Sequence, residues 1–222
     1  MFQTLVNAWK IPDLRKKILF TAFIIVIYRI GANIPVPFVD IIEGGLLGGT
    51  EGTTFLSYLS MMTGDAFNYG TIFALSITPY INSSIIIQLL TVAIPALERL
   101  SKQGEEGRKK IAQYTRYVTI LLAIIQSVGI IVSFGQSQNA IQVSLFGGQV
   151  WLAGAFMALI YTAGAFVVMW LGERITDYGV GNGQSMIIFV GILATAGNLI
   201  TGKMTTMFNG GDAGVTALWE LV

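Results

Sequence analysis

The chain carries almost nothing that could catalyse a reaction. Its 222 residues include no histidine and no cysteine, which removes the commonest general base, the commonest metal ligand and all thiolate chemistry together. Neither a catalytic triad nor a zinc site has material to work with, and no metal, cofactor or enzymatic activity is expected. Gly179 to Ser185, GVGNGQS, has the glycine density of a phosphate-cradling loop, yet the lysine such a loop needs is missing and no strand precedes it. Asn182 or Ser185 as the N-cap of a following helix is the sounder reading. Glu173, Arg174 and Asp177 offer an ion pair or a turn for a partner, and as solvated charges at a membrane boundary they need neither. Arg108, Lys109 and Lys110 could hold anionic lipid or a cytosolic protein, although a role in setting the topology already accounts for them.

What remains is polarity inside an apolar stretch. Met61 to Leu90 reads MMTGDAFNYGTIFALSITPYINSSIIIQLL. Pro79 has no N–H and crowds the carbonyl of Leu75, so a helix must kink or begin anew there. Gly64, Asn68 and Gly70 loosen the part before it. Unpaired backbone at membrane depth is tolerated only inside protein or beside a water-filled cavity, so a short piece followed by a full helix is expected. At about 100° per residue, Ile77, Ile81, Ser84 and Gln88 fall on one face, two aliphatic residues beyond two polar ones. Either that face lines a cavity, dry at one level and wet at another, or the polar residues make ordinary interhelical hydrogen bonds.

The elements that must position this stretch are membrane helices. Hydrophobic residues make up 54% of the chain and charged ones 11%, against about 25% charged in a soluble domain. Met1 to Lys17 reads as a cytosolic amphipathic helix with Trp9 at headgroup level, and no cleavable signal follows it. Five spans are expected after it: Ile18 to Ile34, ended by Pro35 and Pro37; Thr71 to Ala93; Tyr117 to Phe134, interrupted by Gln126 and Ser127; Trp151 to Leu171, with a tryptophan near each end; and Ser185 to Ile200. Phe38 to Thr54 should be an external loop and Phe55 to Gly70 a small helical piece. Pro95 to Thr115 should be a solvated loop, Gly135 to Gln149 a polar link and Gly172 to Gly183 a turn. Gly202 to Gly214 should be loose, with a sixth apolar segment starting near Val215 and cut off at Val222. Arg29, near the outer end of the first span, either snorkels outward or faces a watery interior.

Of the 13 Lys and Arg, all but Arg29 and Lys203 precede the first span or follow the second and fourth. Those regions share one side only if every helix spans, and the positive-inside rule makes that side, with the N-terminus, cytoplasmic.

Four blocks of the chain resemble the SecY family, the central subunit of the bacterial protein-conducting channel: LRKKILFTAFIIVIYRIGANIPVP (Leu14 to Pro37), IFALSITPYINSSIIIQLLT (Ile72 to Thr91), GEEGRKKIAQYTRY (Gly104 to Tyr117) and WLGERITDYGVGNGQSMIIF (Trp170 to Phe189). They stand in the family's order and spacing and cover almost the whole chain. The resemblance implies an all-α membrane protein, a polytopic helical bundle forming the amino-terminal half of an inverted-repeat channel. Residues 18–200 would be the five-helix half-channel and 201–222 an external hinge region with the start of a truncated sixth helix.

The resemblance also assigns roles. Thr63, Gly64, Asp65, Ala66, Phe67 and Asn68 match a plug that closes the pore from outside. Ile77, Ile81 and Ile188 match an aliphatic pore ring, with Gln184 at a ring position that is usually aliphatic, a departure that makes the ring locally wetter. Such a constriction gates by dewetting and closes around a passing chain without sequence preference. The second and third spans would flank a lateral gate lined by Asn82, Gln88, Thr91 and Gln126. Implied partners are small membrane subunits of the SecE and SecG kind, the SecA motor or a translating ribosome, a secretory polypeptide with its signal sequence, and the lipid bilayer. No nucleic acid is implied beyond ribosomal RNA, and the implied location is the bacterial plasma membrane. The rival is a secondary transporter with broken helices, which would need an intramembrane acid or base where these spans hold only Arg29.

Overall fold

The computed structural model describes residues 11–37, 55–136 and 150–209. The amphipathic stretch before Ile11, the loop expected from Phe38, the link beyond Gln136 and the segment from Val215 lie outside them. Among the described residues the secondary structure is seven α-helices and one isolated antiparallel bridge, Pro35 to Thr71.

Helix α1 runs Pro12–Gly31, with Pro12 and Asp13 in its first turn, where a missing N–H costs nothing and a negative charge meets the helix dipole. Helix α2 is Phe55–Thr63 and α3 is Thr78–Ala93. A helix was expected from Thr71; instead residues 64–77 form successive turns and α3 starts one residue before Pro79. Ser76, at φ +48°, ends the turns in a conformation no helix continues. Ile94, extended ahead of Pro95 as the pyrrolidine ring demands, separates α3 from α4, Pro95–Ser101, and the two axes differ by 105°.

The expected solvated loop over Pro95 to Thr115 is corrected here: α4 fills its first part, and α5 begins at Glu105 and continues to Gln136. Gly104, at φ +75°, makes the reversal, and Glu105 and Glu106 open α5 at its positive end. Helix α6, Val150–Tyr178, also outruns expectation, leaving only Gly179 to Asn182 as the turn. Helix α7, Gly183–Asn209, is capped by Asn182, whose side-chain oxygen accepts from the Gln184 N–H at 3.0 Å, and it extends through 202–209, where loose chain was expected. Gln126 and Ser127 do not interrupt α5, because the Ser127 hydroxyl bonds back to the Ile124 carbonyl at 2.8 Å.

Helices occupy each of the five stretches expected to span. By length and composition two of them are sufficient to cross a membrane, Glu105–Val132 of α5 and Trp151–Tyr178 of α6, and α3 with α4 makes a third if the bent pair counts as one. Helix α6 is the axis of the bundle, packing against α1, α5 and α7. Its residues Ala153, Met157, Tyr161, Ala165, Val168 and Ile175 are buried, small and large residues together at helical spacing, the small ones allowing close helix contacts.

Candidate functional site

Residues 64–77, following Thr63 at the end of α2, cross the interior without being helical. Most are buried: like Thr63, Ala66, Phe67, Thr71, Phe73, Ala74, Leu75, Ser76 and Ile77 are each at most 7% exposed. Non-helical backbone survives there only if its polar groups are paired, and much of this stretch is paired by the following bonds. The Phe67 N–H donates to the Thr63 hydroxyl at 3.2 Å. Thr71 donates to the Ala66 carbonyl through its N–H at 3.0 Å and its hydroxyl at 3.2 Å. Val36 and Ile72 exchange bonds with the carbonyls of Gly70 and Ile34 at 3.1 and 3.0 Å. Tyr28 stacks on Phe73 at 5.8 Å and its hydroxyl bonds Ser76. Gly164 of α6 lets the Ile72 carbonyl through, since a Cβ there would collide with it.

The stretch matched to a plug, Thr63 to Asn68, rests on α7. The Thr195 hydroxyl donates to the Met61 carbonyl at 3.1 Å. Gly191 lies under Met62, whose carbonyl a Cβ would strike, and beside Gly64. Gly64 itself has φ +69°, a left-handed conformation suited to glycine. From the other side Arg29 donates from Nη1 to the Gly64 carbonyl at 3.3 Å. Neither expectation for Arg29 describes it fully: the guanidinium turns toward protein and is half-buried.

The four ring candidates come together. Ile77 is 2% exposed in a cluster with Ala66, Val168, Leu171 and Ile187, and Ile81 and Ile188 pack against that cluster half-buried. A Cβ built on Gly172 of α6 would meet Ile77 Cδ1 at 3.3 Å, Ile187 Cδ1 at 3.4 Å and Gln184 Cγ at 3.5 Å. The plug stretch and the ring candidates thus share one apolar junction, in which Ile77 is core rather than open surface.

Helix α3 packs on α5 through Ser83, whose hydroxyl contacts that of Thr119, and it buries Pro79, Ser83 and Ile87. At helical spacing Ile81, Ser84 and Gln88 stand roughly opposite that row, and Gln88 is exposed. The gate candidates do not assemble. Asn82 and Gln88 are exposed and Thr91 bonds its own helix at the Ile87 carbonyl, 2.7 Å. Gln126 lies seven residues past Thr119, roughly 10 Å along α5 toward the start of α3, whereas Gln88 and Thr91 lie toward its end.

Arg108, Lys109 and Lys110 are exposed on the first turns of α5. Glu173 takes a two-pronged ion pair from Arg116, 3.0 Å from Nε and 2.8 Å from Nη2, and the Arg174 guanidinium lies 5.4 Å from the Trp170 ring centre and 5.6 Å from that of Tyr178. Sequence reasoning missed Gly172, Ile187, Gly191 and Thr195. The one legible signal was Gly191 and Thr195 four apart on an apolar helix, the small-xxx-small spacing of close helix contacts.

A bundle of apolar helices around a buried, broken segment defines a polytopic helical membrane protein whose interior is organised about that break. A family model for SecY matches residues 71–222, and the chain belongs to the SecY family. The protein translocase subunit SecY of Streptomyces griseus is 47% identical over 210 residues, covering 88% of this chain and 46% of that protein. That of Bacillus subtilis is 41% identical over 213 residues, covering 96% and 48%. The chain therefore spans about half the length of the curated relatives it matches. Among solved structures, one described as a protein-conducting channel superposes with a TM-score of 0.59 at 18% identity, covering 88% of this chain and 42% of the other. Another, concerned with how the SecY plug domain stabilises the closed state of its channel, gives 0.52 at 20%, covering 88% and 41%. These share the fold. The secondary-transporter reading gains nothing from them.

Proposed function

We propose that this chain is the amino-terminal half of a channel subunit that passes unfolded secretory polypeptides across the bacterial plasma membrane and releases apolar segments sideways into lipid. The observation that carries the reading is the buried break at 64–77, much of its backbone hydrogen-bonded, seated against the aliphatic junction of Ile77, Ile81 and Ile188. In this reading Thr63 to Asn68 form the plug and Ile77, Ile81, Gln184 and Ile188 this half's share of the constriction. Asn82, Gln88 and Thr91 on α3, with Gln126 on α5, line the lateral gate at separate depths. Helices α1, α3, α5, α6 and α7 each span, with the N-terminus and the basic start of α5 cytoplasmic. No catalytic role is assigned, so the driving force comes from a SecA-type motor or a translating ribosome, and small subunits of the SecE and SecG kind complete the assembly.

A displaced plug must give up the bond from Arg29 to Gly64 and those from Thr71 to Ala66, and the Thr195 bond to Met61 anchors the helix before it. The test places one cysteine at Phe67 and another in a stalled secretory precursor, in membranes holding the full assembly. A disulfide that forms only with precursor engaged is expected, since Phe67 is 4% exposed at rest. Efficient export with no crosslink from positions 67, 77 or 81 would remove the pore assignment.

A further inference from the structure

Helices α1 and α6 leave an open apolar groove between them. Phe20, Ile24 and Ile27 line one wall and Trp170, Leu171 and Tyr178 the other, enclosing about 460 Å³, a volume in the range of small-ligand sites. The groove follows α1 from Phe20 to Ile27, roughly 10 Å. One end is closed where Phe20 meets Tyr178 edge to face at 6.1 Å and where Thr21 accepts from the Val180 N–H at 3.1 Å. At that same end the walls change chemistry. Arg174 lines the groove, its guanidinium held between the rings of Trp170 and Tyr178. Lys16 and Lys17, both exposed, stand one turn before Phe20 with Arg15 beside them. The nearby acids do not cancel this: Glu173 is occupied by Arg116, leaving Asp13 and Asp177 against four cations.

We infer that this groove is a binding site for an anionic phospholipid, one acyl chain lying between α1 and α6 and the phosphate held by Arg174 with Lys16 and Lys17. An apolar channel ending in aromatic rings and several basic side chains has the polarity profile of a lipid at the interface. A transmembrane partner helix would match the apolar wall, but it would not by itself neutralise the basic end. Arg174 is fitted to the task because its aromatic neighbours fix the guanidinium without using its hydrogen-bond donors.

Trp170 reports on the site directly. The chain in its membrane assembly, with every other tryptophan replaced by phenylalanine, is reconstituted into vesicles of phosphatidylcholine and phosphatidylglycerol, with the acyl chains brominated on one lipid or the other. Brominated phosphatidylglycerol should quench Trp170 more effectively than brominated phosphatidylcholine at equal mole fraction, by at least the roughly fivefold that one basic side chain supplies at an anionic surface. Arg174→Gln should lower that preference severalfold, leaving what Lys16 and Lys17 supply, and Arg174→Lys should largely keep it. Equal quenching by both lipids would overturn the proposal in favour of ordinary annular contact. Quenching by neither would overturn it in favour of a protein segment covering the groove. The lipid comparison decides the matter without the variants if these fail to fold.

Discussion

Arg29 reaches from α1 to the carbonyl of Gly64, 35 residues on, at 3.3 Å, and so ties the first helix to the stretch assigned as the plug. A hydrogen bond from a charged donor contributes about 1.5–3 kcal/mol, and the long distance and half-buried donor place this one at the low end. Replacing Arg29 by Met should therefore raise the population of the displaced segment about tenfold. The readout is the rate at which a cysteine at Phe67 reacts with a membrane-impermeant thiol reagent. An unchanged rate would show that the arginine contact does not hold the segment.

The opposite side of the same stretch depends on the absence of a side chain. Gly191→Ala would drive a methyl into the Met62 carbonyl, backbone that cannot swing aside, and overpacking of this kind costs about 1–3 kcal/mol. Thr195→Val, which removes the hydroxyl's bonds to the Met61 and Gly191 carbonyls, should cost about 0.6 kcal/mol. The cysteine reactivity at Phe67 should rise more in the alanine variant than in the valine variant. The reverse order would locate the anchor at the hydroxyl and not at the close backbone approach.

How far the sequence revealed this arrangement depended on whether the relevant forces were local. Pro79 marked the break because its missing N–H acts on its own turn, and Asn182 marked the start of α7 because a cap needs only the next three residues. The charged run after Pro95 was misread for the opposite reason. Charge density suggested solvated coil, whereas Glu105 and Glu106 complement the helix dipole and Gly104 supplies the reversal, so the same charges sit on a helix that emerges from the membrane. Arg116 and Glu173, 57 residues apart, could not be paired without knowing that α5 and α6 pack side by side. Among the site candidates, the aliphatic residues at positions 77, 81 and 188 were found by resemblance and converge. The polar gate candidates were chosen by residue type, and Gln126 fell at another depth because antiparallel packing sets depth and sequence distance does not.

Ser83 and Thr119 provide a test of how α3 is held to α5. Ser83 Oγ contacts Thr119 Oγ1 and the Tyr80 carbonyl, while Thr119 Oγ1 also bonds the Thr115 carbonyl. Two hydroxyl protons cannot serve three contacts, so one hydroxyl donates across and the other donates to its own helix. Removing either partner leaves the survivor with a helix carbonyl to bond, and no buried group is orphaned. The coupling in a double-mutant cycle of Ser83→Ala and Thr119→Val should therefore be small, about 0.6 kcal/mol, measured by unfolding in detergent. A coupling several times larger would mean that this contact holds the two helices together by itself.

Gln184 carries the sharpest prediction about the constriction. Its Cγ, Ile77 Cδ1 and Ile187 Cδ1 all approach one point over Gly172, so the glutamine stem belongs to the apolar junction and its amide is a polar group at the end of that stem. An aliphatic constriction excludes ions by dewetting, and an amide at its edge offers water a foothold. In the full assembly in proteoliposomes, Gln184→Ile should lower the resting ion leak severalfold while export of a strong-signal precursor continues. Gly172→Ala should act on the same point from beneath, because its methyl would crowd Ile77 Cδ1 at 3.3 Å, which must give by a few tenths of an ångström, while touching Ile187 Cδ1 and Gln184 Cγ at 3.4 and 3.5 Å. That variant should change the leak with little loss of stability. If neither substitution moves the leak, the point over Gly172 is interior packing only, and the constriction must be sought further along α3 at Ile81 and Ser84.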